Sequence, residues 1–136
     1  MPMVPETSLP EMIVPLLENL LYPSESDEPI YFLCISSEGQ REINVQEFAE
    51  LLGLKATDTI VEELPERFWS PVTTERDWYE EEEKQRTARF VELKRILEEN
   101  LEGIRYFEVG EVEVGLYLIG QSEGSITGLK TMAVRT

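Results

Sequence analysis

The most regular hydrophobic pattern in this chain is that of a long helix in its second half. Apolar residues recur every three or four positions and so share one helical face: Phe90, Leu93, Leu97 and Leu101. Asp77 and Glu80 have the spacing of an N-terminal capping box, because a short acceptor at the cap can bond the free amides of the first turn. The pattern predicts a helix from about Asp77 to Leu101. Its first two turns lack the apolar stripe, so we expect them to project into solvent.

After Gly103 the chain switches to an alternation of apolar and polar residues, the pattern of β-strands. It predicts strands over residues 104–109, 112–118 and 126–135, with a hairpin loop between the last two. The run Ile30–Ile35 is apolar throughout and predicts a buried strand that contains Cys34. A short strand or extended link is expected at Thr59–Leu64.

The first half of the chain is punctuated by prolines. A helix is expected to start at residue 7 or 8, with an apolar stripe that extends to Leu21. Pro15 should kink or split it, because proline removes a helical hydrogen bond. Pro23–Pro29 is expected to be a turn, and Pro65–Pro71 a single helical turn between prolines.

Length and element order together indicate the fold class. A chain of 136 residues is ordinary for one domain and can bury a core without a metal or a disulfide. Helices come first and antiparallel strands last, with apolar positions on both faces of the terminal strands. We therefore expect a single α+β domain over residues 1–136 in which helices cover a sheet on two sides. Residues 1–5 are expected to be a flexible end.

Charge is the one extreme feature of the composition. Twenty-eight acidic residues face twelve basic ones, for a formal net charge of −16. Nucleic acids and anionic membranes are bound by lysine and arginine that neutralise phosphates, so this balance argues against both as partners. It favours a basic partner, although a charge that only serves solubility would look the same. The chain shows no basic leader or uninterrupted apolar span, and a cytoplasmic location is expected.

Most catalytic chemistry is excluded by residue types that the chain lacks. Histidine is absent, which removes Ser-His-Asp and Cys-His catalysis and the usual zinc ligands. No glycine-rich nucleotide-binding motif is present. Carboxylates cluster at residues 25–28 and 77–83, but neither cluster has the ligand order of an EF-hand, and exposed glutamates should stay ionised. We expect a protein that is not an enzyme and holds no cofactor or metal of its own.

An acidic and aromatic stretch, residues 73–84, marks the start of the long helix. Glu80–Glu83 lie where the helix dipole favours negative charge, so a solvated helical face would explain them. Trp78 belongs to a residue type enriched at protein interfaces, yet a tryptophan at a helix start can equally pack against the core. Trp69, beside Phe68, is the stronger candidate for the core. The residues alone indicate an acidic contact surface for a basic partner that they do not identify.

Specific motifs, and not charge alone, connect the chain to a known family. They occur in fixed order and at matching separations: Thr73-Thr74-x-x-Asp77-Trp78-Tyr79-Glu80-x-Glu82-Glu83, Asn100-Leu101, Tyr106, Val109-Gly110-Glu111-Val112-Glu113, Tyr117-x-Ile119-Gly120 and Val134-x-Thr136. Near the N-terminus, Ser24-Glu25-Ser26 matches as well. Together these motifs resemble the nuclease A inhibitor family of cyanobacterial proteins. The resemblance covers residues 73–136 well, whereas roughly Ser36–Ser70 and the first twenty residues match poorly.

The resemblance implies both a fold and a function. The fold is a three-layer αβα sandwich with a mostly antiparallel sheet, similar to plant pathogenesis-related class 1 proteins. The function is tight inhibition of a non-specific DNA/RNA endonuclease of the ββα-metal class, whose divalent metal lies in a basic, phosphate-binding cleft. A carboxylate-rich surface suits such a cleft, because long-range attraction would steer it there and a few buried anchors would hold it.

The resemblance also implies which residues contact the nuclease: Glu25, Trp78 and Thr136. Thr136 would act through the chain terminus, close to the metal of the nuclease. The other acids of the stretch are expected to be rim charges that affect association rate more than affinity: Asp77, Glu80, Glu82 and Glu83. Arg135 departs from the expected chemistry, since a cation beside the terminal residue would oppose its insertion into a basic cleft. The alternative function is an acidic interaction or regulatory module for another basic partner.

Overall fold

The computed structural model describes residues 9–23, 27–36, 48–50, 53, 59–122 and 125–135. Within these ranges the protein has an α+β architecture, with helices, a five-stranded antiparallel sheet and a two-stranded ribbon. The expected fold class is therefore confirmed. The flexible end expected at residues 1–5 lies outside the described residues.

The helices with defined bounds are α1 (Leu9–Leu17), α2 (Glu66–Thr73) and α3 (Glu81–Asn100). α1 ends earlier than its apolar stripe predicts. Asn19 takes a left-handed backbone conformation with a φ of 59°, and the amide of Leu20 donates to the carbonyl of Leu17 at 3.0 Å. This closes the last turn of the helix, so Leu21 leaves it and begins a strand. Pro15 is accommodated inside α1.

α2 is a two-turn helix whose inner face enters the core. Its side chains Phe68, Trp69 and Val72 are buried. The ring of Phe68 packs edge-on against Trp69 with centroids 4.9 Å apart, and lies 5.6 Å from the ring of Tyr106. The helix continues through Pro71 and is longer than the single turn predicted. The assignment of Trp69 to the core is confirmed.

Seven strands are described: β1 (Leu21–Tyr22), β2 (Glu28–Pro29), β3 (Tyr31–Ser36), β4 (Ile60–Glu63), β5 (Glu102–Val109), β6 (Glu113–Ser122) and β7 (Ser125–Val134). β1 and β2 form the antiparallel ribbon. The other five form one sheet in the order β3-β7-β6-β5-β4, with every neighbouring pair antiparallel. The segments with period-2 alternation are confirmed as strands, and they build the centre of this sheet.

The sheet separates two apolar clusters. On one face, Leu116 and Leu118 of β6 pack with residues of all three helices. On the other, Phe107 of β5 stacks on Phe48, with ring centroids 4.3 Å apart. A strand can serve both clusters because successive side chains point to opposite faces. The three-layer arrangement stays a prediction, since the described residues on the second side include a single short helical segment, 48–50.

β3 is an edge strand, which corrects the expectation of a buried one. It lies at one end of the strand order and pairs with β7. Tyr31 is 59% exposed, and Cys34 is exposed rather than buried, with its sulfur 3.7 Å from the hydroxyl of Thr127. An apolar run identifies a strand. Its place in the sheet depends on pairing with residues far away in the sequence, and the run itself does not encode that pairing.

Candidate functional site

The acidic and aromatic stretch between α2 and α3 folds into an exposed turn. The amide of Tyr79 donates to the carbonyl of Arg76 at 3.0 Å, so Asp77 and Trp78 occupy the two central positions of the turn. Trp78 is 74% exposed, and its indole meets the ring of Tyr79 edge-on at 6.0 Å. The turn therefore presents a large apolar ring to solvent. The alternative in which Trp78 packs into the core is wrong.

α3 begins later than the spacing of Asp77 and Glu80 predicts. Its first residue is Glu81, and Glu80 is the N-cap. The amide of Glu80 donates to Oε2 of Glu83 at 2.6 Å, and the amide of Lys84 donates to the carbonyl of Glu80 at 3.0 Å. A capping box is present, but it lies one turn further along, because Glu80 and Glu83 repeat the three-residue spacing that Asp77 and Glu80 show.

The carboxylates around this helix start face solvent. Asp77, Glu80 and Glu82 are exposed, and Glu83 is half-buried. The ammonium of Lys84 lies 3.9 Å from a carboxylate oxygen of Glu75, at a site where both side chains are about half exposed. An ion pair of this kind is screened by water and contributes little. The exposed carboxylates are thus placed where their field acts on an approaching partner.

The β1–β2 ribbon lies beside the start of α3. Asp27, in the loop that joins the two strands, lines a surface cavity of about 410 Å³ together with Glu82 and Glu83. Arg89, which also lines the cavity, links α3 to the end of α1. Its guanidinium donates to the carbonyl of Leu16 at 2.7 Å and to the carbonyl of Glu18. Glu25 comes between the two strands in the sequence and lies outside the described residues. Its assignment as a contact residue stays a prediction.

The base of the ribbon is anchored in the core. Tyr22 stacks on Phe68 with ring centroids 4.9 Å apart and meets Phe90 of α3 edge-on at 6.3 Å. Its hydroxyl donates to the carbonyl of Phe68 at 2.7 Å. From β7, the hydroxyl of Thr131 donates to the carbonyl of Pro29 at 2.8 Å. The ribbon is therefore bonded to α2 and to the last strand, and packed against α3.

The last described residue, Arg135, is bonded to a buried carboxylate. Its guanidinium donates to both oxygens of Glu108, at 2.8 and 2.9 Å, and its amide donates to the carbonyl of Val112 at 2.8 Å. Arg67 Nε at 3.0 Å and the Tyr106 hydroxyl at 2.7 Å also donate to Glu108. The Glu108 residue is only 7% exposed. We refer to Glu108, Arg135, Arg67 and Tyr106 as the Glu108 cluster.

The Glu108 cluster keeps its central carboxylate ionised. Burial alone would raise the pKa of Glu108, but hydrogen bonds from Arg135, Tyr106 and Arg67 outweigh it and lower the pKa to about 2. The charge of Arg135 is therefore paired inside the protein. The cation that was expected to oppose insertion into a basic cleft is therefore bonded to Glu108. Thr136 lies outside the described residues, and its role stays a prediction.

Sequence reasoning did not single out Glu108, although the chain carries a signal for it. Tyr106 and Glu108 are two positions apart in β5, so they share the face that packs against the helices. Glutamate at a core-facing position requires a cationic partner, since a lone buried charge is costly. The identity of that partner is not local. Arg67 precedes Glu108 by 41 positions and Arg135 follows it by 27.

Metal ligands are not grouped in the part of the chain that the structure describes. Within it, no three Cys, Asp or Glu side chains are arranged so as to hold an ion. None of the helices in the same ranges is both long enough and apolar enough to cross a bilayer.

The chain is similar to a known protein family over nearly its whole length. A family model described as nuclease A inhibitor-like protein matches residues 7–136. The matched range contains the exposed turn at Trp78, the start of α3, the ribbon and the end of β7. No curated protein matches the chain. The family match confirms the resemblance seen in the motifs: this chain belongs to the nuclease A inhibitor-like protein family.

Proposed function

We propose that this protein inhibits a non-specific DNA/RNA endonuclease of the ββα-metal class by covering the basic cleft that holds the metal of the enzyme. Membership of the nuclease A inhibitor-like family supports an inhibitory role. The observation that carries the mechanism is the 74% exposed indole of Trp78, set among carboxylates. An indole in solvent leaves apolar area uncovered, and burying that area against a partner is favourable.

The acidic residues divide into two roles. Asp77, Glu80 and Glu82 are exposed and act as rim charges, which attract a basic cleft over a distance and accelerate association. Glu83 is half-buried and accepts the amide of Glu80 at 2.6 Å. We assign Glu83 a supporting role, because it fixes the helix start from which its neighbours project.

Glu25 and Thr136 complete the proposed contact surface. A residue near Glu25 in the sequence supports this: Asp27, two positions after it, lines one cavity with Glu82 and Glu83. The same ribbon is bonded to the last strand, since the hydroxyl of Thr131 in β7 donates to the carbonyl of Pro29 at 2.8 Å. The ribbon thus extends from the start of α3 towards the end of the chain. In the proposed complex its loop and the chain terminus approach the cleft together with Trp78.

The test is an inhibition assay with the full chain and no tag after residue 136. The protein is titrated into a ββα-metal nuclease that degrades DNA with magnesium, at low and moderate salt. We expect loss of nuclease activity at submicromolar protein with a stoichiometric end point, and weaker inhibition as salt rises. Absence of inhibition at micromolar protein would overturn the proposal. Capture of a basic protein without nuclease activity would then favour the acidic interaction module.

A further inference from the structure

Tyr79 is the half-buried residue of the turn formed by residues 76–79, and the other three are exposed. Its backbone is fixed on both sides. The amide of Tyr79 donates to the carbonyl of Arg76 at 3.0 Å, which closes the turn. The amide of the next residue, Glu80, donates to the carboxylate of Glu83 at 2.6 Å, where α3 begins. The direction in which the Tyr79 side chain leaves the backbone is therefore set by the turn and the helix together.

The ring of Tyr79 lies beside the indole of Trp78. The two ring centroids are 6.0 Å apart and the ring planes meet at 89°, which is the edge-to-face geometry that aromatic pairs prefer. The indole is 74% exposed, and an exposed side chain can exchange among its staggered rotamers. A ring that a fixed backbone holds beside it favours the rotamer that makes the contact. The indole is therefore ordered by its neighbour before any partner binds.

We propose that Tyr79 is a positioning residue for nuclease inhibition: its ring holds the exposed indole of Trp78 in the orientation in which the indole enters the nuclease cleft. This inference rests on the proposed function. Binding costs entropy when a side chain must be ordered at the interface, and a side chain that is already ordered avoids that cost. The effect matters most for an anchor, because a few residues carry most of the binding energy of an interface. Tyr79 thus acts through Trp78.

The experiment compares two substitutions of Tyr79. Tyr79→Leu removes the ring and keeps an apolar side chain, whereas Tyr79→Phe keeps the ring and removes only the hydroxyl. Neither changes the formal net charge of −16, so long-range attraction to a basic target is the same in both. We expect Tyr79→Leu to raise the inhibition constant about fivefold, and Tyr79→Phe to stay within about twofold of the unaltered protein. Equal inhibition constants for the two variants would overturn the inference, because the ring would then make no difference.

A double-mutant cycle with Trp78→Ala separates positioning from direct contact. If Tyr79 acts only through Trp78, Tyr79→Leu has nothing left to disturb once the indole is gone. We therefore expect Tyr79→Leu to change the inhibition constant by less than about twofold when it is added to Trp78→Ala. A loss that stays about fivefold in that background would mean that Tyr79 contacts the nuclease itself, and the positioning role would be wrong.

A second readout measures the order of the indole without a nuclease. The chain has two tryptophans, and heteronuclear NOE values of their indole N–H groups report motion on the picosecond to nanosecond timescale. Trp69 is 1% exposed and serves as reference. We expect the value for Trp78 to fall in Tyr79→Leu and to stay unchanged in Tyr79→Phe, with Trp69 unchanged in both. A Trp78 indole that is equally mobile with and without the Tyr79 ring would contradict the inference.

Tyr31 offers the matched control. It belongs to the edge strand β3, is 59% exposed and lies outside the turn, so Tyr31→Leu makes the same chemical change elsewhere on the surface. We expect its inhibition constant to stay within about twofold of the unaltered protein. A loss as large as that of Tyr79→Leu would show that the effect is not specific to the turn, and the inference would fail.

The outcomes separate this inference from the proposed function. If the unaltered protein does not inhibit, the proposed function fails and the positioning role fails with it, whatever the NOE values show. If the unaltered protein and Tyr79→Leu inhibit equally well, only the positioning role fails. Should Tyr79→Leu fail to fold, Tyr79→Met decides in its place, since it also removes the ring and its flexible side chain adapts to irregular gaps.

Discussion

Two regions of this protein each combine a tryptophan with glutamate side chains, and they differ in what surrounds them. In the core, Trp69 is 1% exposed and neighbours Phe68, which packs towards Tyr106 and the 7% exposed Glu108. The second region is the exposed turn of residues 76–79 that leads into α3, which we call the acidic turn. There Trp78 is 74% exposed and the glutamates at the helix start face water. The same residue types therefore serve two purposes.

The difference shows how burial determines what a side chain can still do. In the core, each polar atom must find a partner during folding, and Glu108 accepts hydrogen bonds from Arg67, Tyr106 and Arg135. In the acidic turn, the exposed carboxylates face water, and the aromatic ring that the indole meets among the described residues is that of Tyr79. Interactions left unmade in the folded chain are available to a partner. Substitutions in the core should change stability, and substitutions in the turn should change binding.

The largest expected effect is that of Trp69→Ala. Removing a fully buried tryptophan loses its apolar contacts and leaves a cavity, at a cost of about 3–5 kcal/mol of unfolding free energy. Urea denaturation followed by far-ultraviolet circular dichroism measures this loss. The matched variant Trp78→Ala should change the unfolding free energy by less than about 0.5 kcal/mol. Similar losses in the two variants would break the comparison, because they would mean that the turn is also part of the core.

This division between the tryptophans could be predicted only in part from the sequence. Trp69 was correctly assigned to the core from the flanking prolines and the neighbouring Phe68. The sequence left undecided whether Trp78 lies in the core or on the surface. Asp77, Glu80 and Glu83 follow one another at three-residue intervals, which allows two helix starts one turn apart. The structure selects the later one and leaves Trp78 in a turn. Local capping patterns therefore identify that a helix begins, while competition between equivalent caps decides where.

A second large effect is expected from Glu108→Gln, and it should depend on pH. The pKa of Glu108 is lowered from its ordinary 4.5 to about 2 in the folded protein, so the ionised form stabilises the fold above about pH 4.5. That stabilisation is lost as the pH falls towards about 2. Glu108→Gln should therefore cost about 3 kcal/mol at most near neutral pH. The cost should shrink on acidification, because protonated glutamate resembles glutamine in shape and charge.

Urea denaturation of both proteins at several pH values checks this prediction. All other carboxylates are common to the two proteins, so their titration cancels in the difference of unfolding free energies. Glu82→Gln serves as the exposed counterpart and should change the unfolding free energy by less than about 0.5 kcal/mol. A cost of Glu108→Gln that stays constant down to acidic pH would mean that lost packing, and not lost charge, destabilises the variant.

Glu108 also marks where sequence reasoning stops. The alternation in β5 places it on the core side with Tyr106, and this much is local. Its charge is balanced by Arg67 and Arg135, which only the folded chain brings together. Cys34 is a second example. Its apolar run predicted a strand, but the run did not show that this strand lies at the edge of the sheet. Element types follow from local pattern, whereas partners at long sequence separation do not.

A smaller effect is expected from Trp78→Ala on binding. An exposed indole that becomes buried against the nuclease should contribute about 2 kcal/mol or more, so the variant should inhibit about 30-fold less tightly. The substitution leaves the net charge at −16, so an inhibitor that acts only as a polyanion would be unaffected. Inhibition constants from nuclease titrations provide the measurement.

Leu64 offers the matched control for this substitution. It is 77% exposed and lies outside the acidic turn, so Leu64→Ala removes exposed apolar surface without touching the proposed interface. We expect it to change neither inhibition nor stability by more than about 0.5 kcal/mol. A loss of affinity below about 0.5 kcal/mol for Trp78→Ala would remove the anchor from the proposed mechanism. The acidic turn would then act through charge alone.

The smallest effect is expected from a single rim charge. Glu82→Gln removes an exposed carboxylate four positions after Trp78, and it should slow association about two- to threefold at low salt while leaving dissociation unchanged. The control Glu98→Gln removes an exposed charge from the same helix, about 24 Å further along at 1.5 Å per residue. That distance exceeds the Debye length of about 8 Å at physiological salt.

Association rates measured by stopped flow over a range of salt concentrations should therefore separate the two variants, and the effect of Glu82→Gln should fade as salt rises. Equal slowing in both variants would mean that the nuclease senses only the total charge of the protein, and the acidic turn would lose its distinction from the rest of the surface.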